Sequence, residues 1–256
     1  MKRRELKIDL NCDMGEVPEA IADGTQEALM RSITSVNIAC GGHAGDEHTM
    51  KATIEQALRW KLAIGAHPGY PDRANFGRLE LKVPLNEISA SIFEQVKALA
   101  DAAARCGARM AHVKPHGALY NQAVKNRELA EAIAKGVARW SKDIVLVGLA
   151  GSPMLDVFRE AGFAVAAEAF ADRRYEADGT LRSREFEDAL IRNPEEAAWQ
   201  ALGIAERGVV IASEGSEVDV DAQTLCIHGD TPGAPKIAET VARILREAGV
   251  TLNQLS

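Results

Sequence analysis

Short apolar runs recur along the chain, and nearly every one ends in a polar cluster flanked by glycine or proline. The clusters read DLNCDMGE, NIACGGHAGD, GAHPGYPD, HVKPHGALYN, EAFADRRY and CIHGD. The runs predict strands near residues 6–13, 35–41, 62–68, 109–116, 143–150, 163–170 and 223–229. Because the carboxyl ends of parallel barrel strands lie at one end of the barrel, we expect the polar clusters to converge there.

Helical periodicity fills the intervals between these strands. The predicted helices are 46–60, Pro84 to Gly107, a helix capped by Asn126, a short helix from Ser152, 194–207, and Ala234 to Ala248. Strands that alternate with helices in about seven units favour a closed parallel barrel over an open doubly wound sheet. An open sheet would concentrate its site at one switch point, whereas polar residues follow at least five of these runs.

Alternation within the runs predicts which side chains face the barrel interior, since residues two apart in a strand share a face. The residues that share this face are mostly polar and form the sets Asp9, Asn11 and Asp13; His112, Lys114 and His116; Ala166 and Glu168; and Cys226, His228 and Asp230. Their neighbours are mostly aliphatic and would face the covering helices. The pattern therefore predicts an apolar outside and a polar inside.

Composition indicates a soluble α/β protein with one domain, residues 1–256. Hydrophobic residues make up 46% of the chain and charged residues 26%, and no apolar stretch approaches a membrane span. The start, MKRRELKIDL, has no apolar segment before the first strand, so we expect no signal peptide and a cytoplasmic location. A net charge of -7 without a basic stripe argues against nucleic acid as a partner.

The cysteines do not form a metal-finger or redox motif. Cys12, Cys40, Cys106 and Cys226 lack CxxC spacing, which is typical of reduced thiols in the cytosol. Three of them fall near strand ends, where they are either small apolar filler, the interpretation we favour, or a catalytic thiol.

Four histidines, His43, His67, His116 and His228, fall at strand ends. Asp13, His43 and His67 would form a set of one carboxylate and two imidazoles, which suits a divalent metal such as zinc, manganese or iron. The alternative is a hydrogen-bonded polar network without metal. We expect His48 and His112 to serve packing or support.

Cationic side chains near the same end of the barrel predict an anionic ligand. Lys114 points inward, where a charge is costly unless it meets an anion or a carboxylate. Arg78, Arg173 and Arg182 add cations that suit a carboxylate or phosphate. The charged segment 171–193 is either a lid or partner surface, or a solvated loop. The chain has no GxxxxGK[ST], GxGxxG or GxSxG motif, which disfavours P-loop, Rossmann and elbow-type serine enzymes.

The clusters, together with FGR at 76–78 and DG at 178–179, resemble in order and wording the LamB/YcsF-like family, to which the A subunits of prokaryotic ATP-dependent 5-oxoprolinases belong. The resemblance extends from about residue 6 to 250. It implies a distorted seven-stranded parallel β/α barrel of the glycoside hydrolase/deacetylase type. It also implies hydrolysis of the lactam of 5-oxo-L-proline to L-glutamate, with ATP and Mg²⁺ as cofactor, and two partner subunits, B and C.

The sequence departs from the wider deacetylase superfamily in the spacing of its acidic residues and histidines. Those enzymes usually carry adjacent aspartates and a His-x-x-x-His pair. Here Asp9 and Asp13 are four apart, and His43 and His48 are five apart. Metal binding in the manner of the deacetylases therefore does not follow from the resemblance.

A lactam carbonyl is a poor electrophile, and phosphorylation of its oxygen would create a leaving group. Such a site needs cations for the phosphate, a base for water and an anchor for the substrate carboxylate. We expect catalytic roles for Asp13, Lys114 and His116. The expected substrate-binding residues are Asn11, Glu16, Arg78, Tyr120, Glu168, Arg173, His228 and Asp230. Two alternatives are a metal-dependent deacetylase or amidohydrolase acting alone and a non-catalytic subunit that binds substrate.

Overall fold

Seven parallel strands close into a barrel in the computed structural model, which describes residues 6–255. The described strands are β1 (Lys7–Met14), β2 (Ser35–Ala39), β3 (Ala63–His67), β4 (Met110–Val113), β5 (Val145–Leu149), β6 (Ala164–Phe170), β7 (Val209–Ile211), β8 (Glu217–Asp219), β9 (Thr224–Ile227) and β10 (Thr251–Leu252). The barrel runs from β1 through β6 to β9, which pairs with both β6 and β1. The predicted α/β barrel is confirmed.

Helices cover the outside of this barrel. They are α1 (Pro18–Ala22), α2 (Thr25–Met30), α3 (Glu47–Arg59), α4 (Leu85–Arg105), α5 (Gly117–Lys125), α6 (Arg127–Ala138), α7 (Pro153–Glu160), α8 (Pro194–Arg207) and α9 (Ala234–Glu247). On α4, the predicted apolar stripe of Ile88, Ile92, Val96 and Leu99 is buried. Helices α1, α2 and α5 were not predicted. No described helix has both the length and the apolar character that crossing a bilayer requires.

Polar caps fix where several of these helices begin. The Asp46 side chain accepts a hydrogen bond from the Thr49 backbone N–H at 2.8 Å, and the Thr49 hydroxyl accepts one from the Asp46 N–H at 2.9 Å. Asn126 and Asn193 cap α6 and α8 in the same manner, by accepting from a backbone N–H three residues ahead. These caps satisfy backbone N–H groups that the first turn of each helix would otherwise leave unpaired.

Strand ends differ from the predicted ones by a few residues, and two differences concern the site or its surroundings. The fourth strand was predicted to span 109–116, but β4 ends at Val113 because Pro115 has no N–H to continue the ladder. Lys114 and His116 still follow an extended path, since their N–H groups donate to the carbonyls of Ala66 and Pro68 at 2.9 Å. The antiparallel hairpin of β7 and β8 was not predicted. The basic start, on which the signal-peptide expectation rests, lies outside the described residues.

The barrel interior contains polar layers linked by hydrogen bonds. At the bottom, Asp9 accepts from Ser35 and Thr224. One layer higher, Asn37 donates to Asn11 Oδ1 at 2.7 Å, and its own Oδ1 lies 2.7 Å from His112 Nε2. Burying polar groups that are hydrogen-bonded in this manner costs far less free energy than burying unpaired ones. The layers therefore hold the residues above them in fixed positions.

His112 reaches across the interior because its neighbour in the barrel wall has no side chain. A Cβ atom placed on Gly65 would lie 2.1 Å from His112 Nε2. Only glycine therefore fits beside the imidazole in this layer.

We predict that Gly65→Ala lowers the free energy of unfolding by about 3 kcal/mol or more, because overpacking of a core typically costs about 1–3 kcal/mol and this contact is very close. The matched control is Gly203→Ala in α8, where the nearest atom to an added Cβ is 3.4 Å away. This control should be neutral or slightly stabilising, because alanine favours helices. Chemical denaturation measures both variants. Equal stability of the Gly65→Ala variant and the native chain would contradict this account of the barrel interior.

Candidate active site

A cavity of about 810 Å³ opens at the carboxyl ends of the barrel strands. Its floor contains Asp13, Lys114, His67 and His116, which follow or end three different strands. The loop between β6 and α8 supplies much of the opposite wall, through residues that include Arg173, Thr180, Leu181, Arg182, Ser183, Arg184 and Glu185. The segment predicted as a lid or a solvated loop thus borders the cavity.

Lys114 is the centre of a buried ion-pair network. Its Nζ lies 2.9 Å from Asp13 Oδ1 and 2.9 Å from Glu168 Oε1. It also lies 3.1 Å from Cys226 Sγ and 3.4 Å from Asn11 Oδ1. An ammonium group has only three protons, so these four contacts use its full donor capacity within the protein. Lys114 balances two buried carboxylates before any ligand arrives.

The network sets the charge of its members. Burial opposes ionisation of Asp13, but His67 and Lys114 outweigh burial and hold the pKa of Asp13 well below its usual range. Burial likewise disfavours the charged form of Lys114, yet Asp13 and further anionic neighbours hold the pKa of Lys114 well above its usual value. At neutral pH both groups are therefore ionised.

Three histidines pack together beside Asp13. His67 and His116 meet edge to face, with ring centroids 4.8 Å apart, and their facing atoms, His67 Nε2 and His116 Nδ1, are 2.9 Å apart. His43 stacks on His116 with centroids 3.5 Å apart, and its Nε2 lies 2.8 Å from Glu16 Oε1. Burial lowers the pKa of His43 to about 2, so His43 is neutral.

Backbone carbonyls fix the tautomers of two of these rings. His67 Nδ1 lies 2.8 Å from the Lys114 carbonyl oxygen, and His116 Nε2 lies 2.9 Å from the Phe76 carbonyl oxygen. Carbonyl oxygens only accept hydrogen bonds, so each of these ring nitrogens carries a proton and donates it. The opposite nitrogens of the two rings face the cavity floor.

Charged pairs form the rim of the cavity. Arg78 and Arg184 both pair with Asp230, the latter at 3.2 Å. Burial opposes ionisation of Asp230, but His228 and the two arginines lower its pKa to about 2. His228 is held by buried Asp172, which lies 3.0 Å from its Nδ1 and accepts from its backbone N–H at 2.9 Å.

Several buried polar atoms near the cavity have no hydrogen-bond partner within residues 6–255. They include Arg173 Nε. The Tyr120 hydroxyl and Glu168 Oε2 also lack a well-aligned partner, but the two side chains are close enough to interact with each other. Burial, followed by the charge of Glu168, raises the pKa of Tyr120 well above its usual value, so its hydroxyl remains a donor. Buried polar groups without partners are rare in proteins, and those that border a cavity are available to a ligand.

The structure brings most of the predicted site residues together. The predicted residues that line the cavity are Asp13, Glu16, His67, Arg78, Lys114, His116, Tyr120, Arg173, His228 and Asp230. Asn11 and Glu168 lie beneath the floor and contact each other at 3.1 Å. His43 lies behind Glu16. Arg182 also lines the cavity, but its guanidinium pairs with Glu176 and Asp188 of its own loop.

Sequence reasoning missed three residues that shape the site. Asp172 orients His228, and its position directly after an apolar run in FADRRY was an available signal. Asn37 donates to Asp13 Oδ1 at 2.8 Å. Its sequence signal was weaker, since it consists only of a lone amide inside the apolar run SVNIA. Nothing in the sequence distinguished Arg184 from its charged neighbours.

A closed parallel barrel with a lysine, carboxylate and histidine floor at the carboxyl ends of its strands defines a β/α-barrel protein with a polar central site. The chain belongs to the LamB/YcsF family, whose family model matches residues 8–256. It is 48% identical to the A subunit of the 5-oxoprolinase of Chloroflexus aggregans, over 96% of this chain and 98% of the relative.

Solved structures agree with this assignment. The lactam utilization protein from Thermus thermophilus superimposes with a TM-score of 0.90 at 40% identity, over 98% of this chain and 100% of that one. A family 4 carbohydrate esterase from Streptomyces lividans matches with a TM-score of 0.52 at 10% identity, over 98% of this chain and 93% of that one. At this low identity, the likeness to the esterase shows only a shared fold.

We predict that Lys114→Met destabilises the protein by about 3–5 kcal/mol, because it leaves two buried carboxylates without their cation. Adding Asp13→Asn and Glu168→Gln to this variant should recover part of that loss. Lys125→Met is the control, since Lys125 pairs with Asp178 at the surface and should change stability by less than about 1 kcal/mol. Thermal unfolding provides the measurement. Native-like stability of Lys114→Met would refute the charge-balancing role.

Proposed function

We propose that the protein is the A subunit of an ATP-dependent 5-oxoprolinase that hydrolyses 5-oxo-L-proline to L-glutamate. The observation that carries this proposal is the floor of ionised Asp13, Lys114 and paired histidines beneath a rim of arginines. Near-full-length similarity to the A subunits of 5-oxoprolinases supports it. ATP with Mg²⁺ would be the co-reactant, and the proposed partners are the B and C subunits.

The proposed reaction begins when the lactam oxygen attacks the γ-phosphorus of ATP. The bond between that phosphorus and the bridging oxygen breaks, and ADP leaves. Water then adds to the former carbonyl carbon, the carbon–nitrogen bond breaks, and the ring nitrogen leaves as the amine. A second water converts the resulting acyl phosphate into the glutamate side-chain carboxylate and inorganic phosphate.

Each requirement of this reaction has a candidate residue in the cavity. Arg173 is buried, and its unpartnered Nε suits the substrate carboxylate. The Tyr120 hydroxyl is a donor for the lactam oxygen. Asp13 Oδ2 lies 3.4 Å from His67 Nε2, so Asp13 and the neighbouring His67–His116 pair are placed to take a proton from water and return it to the leaving nitrogen.

Arg78, His228 and Asp230 would close the substrate site from the rim. Arg78 and Asp230 neutralise each other, and Arg184 adds a further positive charge. The rim therefore keeps a net cationic character suited to phosphate or carboxylate. Glu16, Asn11 and Glu168 would support the floor through their contacts with His43 and Lys114.

A reconstitution assay tests the proposed function. The purified chain should release glutamate from 5-oxoproline only when ATP, Mg²⁺ and the B and C subunits are all present. A second candidate, a metal-dependent amide hydrolase acting alone, is favoured by the cluster of Glu16, His43, His67 and His116. Amide hydrolysis by the isolated chain without ATP would establish that candidate and overturn the first.

A substitution at the proposed carboxylate anchor gives a sharper result. In the reconstituted complex, Arg173→Gln should lower kcat/KM for 5-oxoproline by a factor on the order of a hundred, which matches a lost charge-assisted contact of about 2–4 kcal/mol. The control is Arg243→Gln, which removes an exposed pair with Glu247 on α9. Unchanged kinetics in a folded Arg173→Gln variant would remove Arg173 from the substrate site.

A further inference from the structure

Two imidazole nitrogens face each other on the cavity floor. His67 donates its Nδ1 proton to the Lys114 carbonyl, and His116 donates its Nε2 proton to the Phe76 carbonyl. The remaining nitrogens, His67 Nε2 and His116 Nδ1, are therefore both acceptors in the neutral rings, yet they are only 2.9 Å apart. Such a pair requires an electron acceptor beside it, either a proton or a metal ion.

A carboxylate completes the set of donor atoms. Glu16 Oε1 lies 3.3 Å from His116 Nδ1 and 3.8 Å from His67 Nε2. Ligands about 2.0–2.2 Å from a tetrahedral ion are separated by about 3.3–3.6 Å, so these three atoms are already close to a ligand arrangement. All three residues line the cavity, which leaves the next coordination position open to a substrate or water.

The surroundings of these residues match those of metal ligands. Metal-binding histidines usually donate their second N–H to a carbonyl or carboxylate, which fixes the tautomer, and both His67 and His116 do so. Behind the carboxylate, His43 Nε2 contacts Glu16 Oε1 at 2.8 Å. The His43 ring lies parallel to His116 at 3.5 Å, so one ion cannot lie in both ring planes. His43 therefore supports Glu16.

We propose that His67 Nε2, His116 Nδ1 and the Glu16 carboxylate bind a divalent transition metal, with zinc the best match to two imidazoles and one carboxylate. This site differs from the set of Asp13, His43 and His67 expected from the sequence. Asp13 instead accepts from Lys114 and Asn37 through Oδ1 and borders the site through Oδ2. When bound, the metal would supply Lewis-acid activation of a carbonyl or of water.

A second group of possible ligands nearby, Asp13, Cys226 and His228, carries no such inference. The Lys114 ammonium lies 2.9 Å from Asp13 Oδ1 and 3.1 Å from Cys226 Sγ. A cation is therefore already built into that group. With a metal at the first site, His67 and His116 would both serve as ligands, and Asp13 Oδ2 would remain to accept a proton from water.

Metal titration of the isolated chain tests the site without any activity measurement. The chain should be produced without a histidine tag and stripped with a chelator. Cobalt(II) should then bind with a stoichiometry of one and give the visible absorption of a low-coordinate site, and zinc should displace it. This experiment is independent of the 5-oxoprolinase proposal, because neither 5-oxoproline nor the partner subunits are present.

Single substitutions locate the ligands. His67→Gln, His116→Gln and Glu16→Gln should each weaken zinc binding by a factor of about 100 or more, and His43→Gln by about 10–100, as expected for loss of a supporting contact. His48→Gln is the matched control, because His48 is exposed on the first turn of α3. Its zinc affinity should equal that of the native chain.

Two results would overturn the proposal. The first is that the native chain binds neither cobalt nor zinc stoichiometrically. Nitrogen NMR would then show a proton shared between His67 and His116 even in the presence of excess zinc. The other is native affinity in variants at His67 and His116 that remain folded by circular dichroism. If a variant fails to fold, the native titration still decides the question.

Discussion

The structure depends on one buried cation. Lys114 joins Asp13 of β1 and Glu168 of β6 across the barrel, at 2.9 Å from each. Without this ammonium group, two carboxylates would share a dry interior, which is strongly unfavourable. The ammonium group holds Asp13 and Glu168, from strands distant in sequence, at the same level of the barrel interior. It thereby closes the stack of polar layers from above. The histidines and the cavity are positioned relative to that level.

Sequence periodicity predicted the fold well, because alternating strands and helices leave few topologies. It also predicted that Asp13, Lys114 and Glu168 share an interior. It could not predict that Glu16 rather than Asp13 faces His116, because Glu16 lies beyond β1, where the side chain follows the local turn and not the strand alternation. Asp172 was missed for a related reason, since its role depends on His228, which is 56 residues away.

The two walls of the cavity have different origins. The floor comes from strand ends that the barrel fixes in place. The opposite wall comes from the segment between β6 and β9, which forms α8 and the hairpin of β7 and β8 outside the barrel. Such a division lets the outer wall change its side chains with little effect on the charge balance beneath it. The charged floor of the cavity and much of its outer wall therefore come from separate parts of the chain.

Barrel closure has a consequence for synthesis of the protein. The first strand completes its pairing only with β9, in which Asp9 lies opposite Thr224 and Cys12 opposite Ile227. On a ribosome, the segments emerge in chain order, so β1 cannot complete its pairing until β9 has been translated. Until then its acidic side chains have no closed interior to enter. The polar interior of the barrel, with its ion-pair network, therefore closes only after β9 has been made.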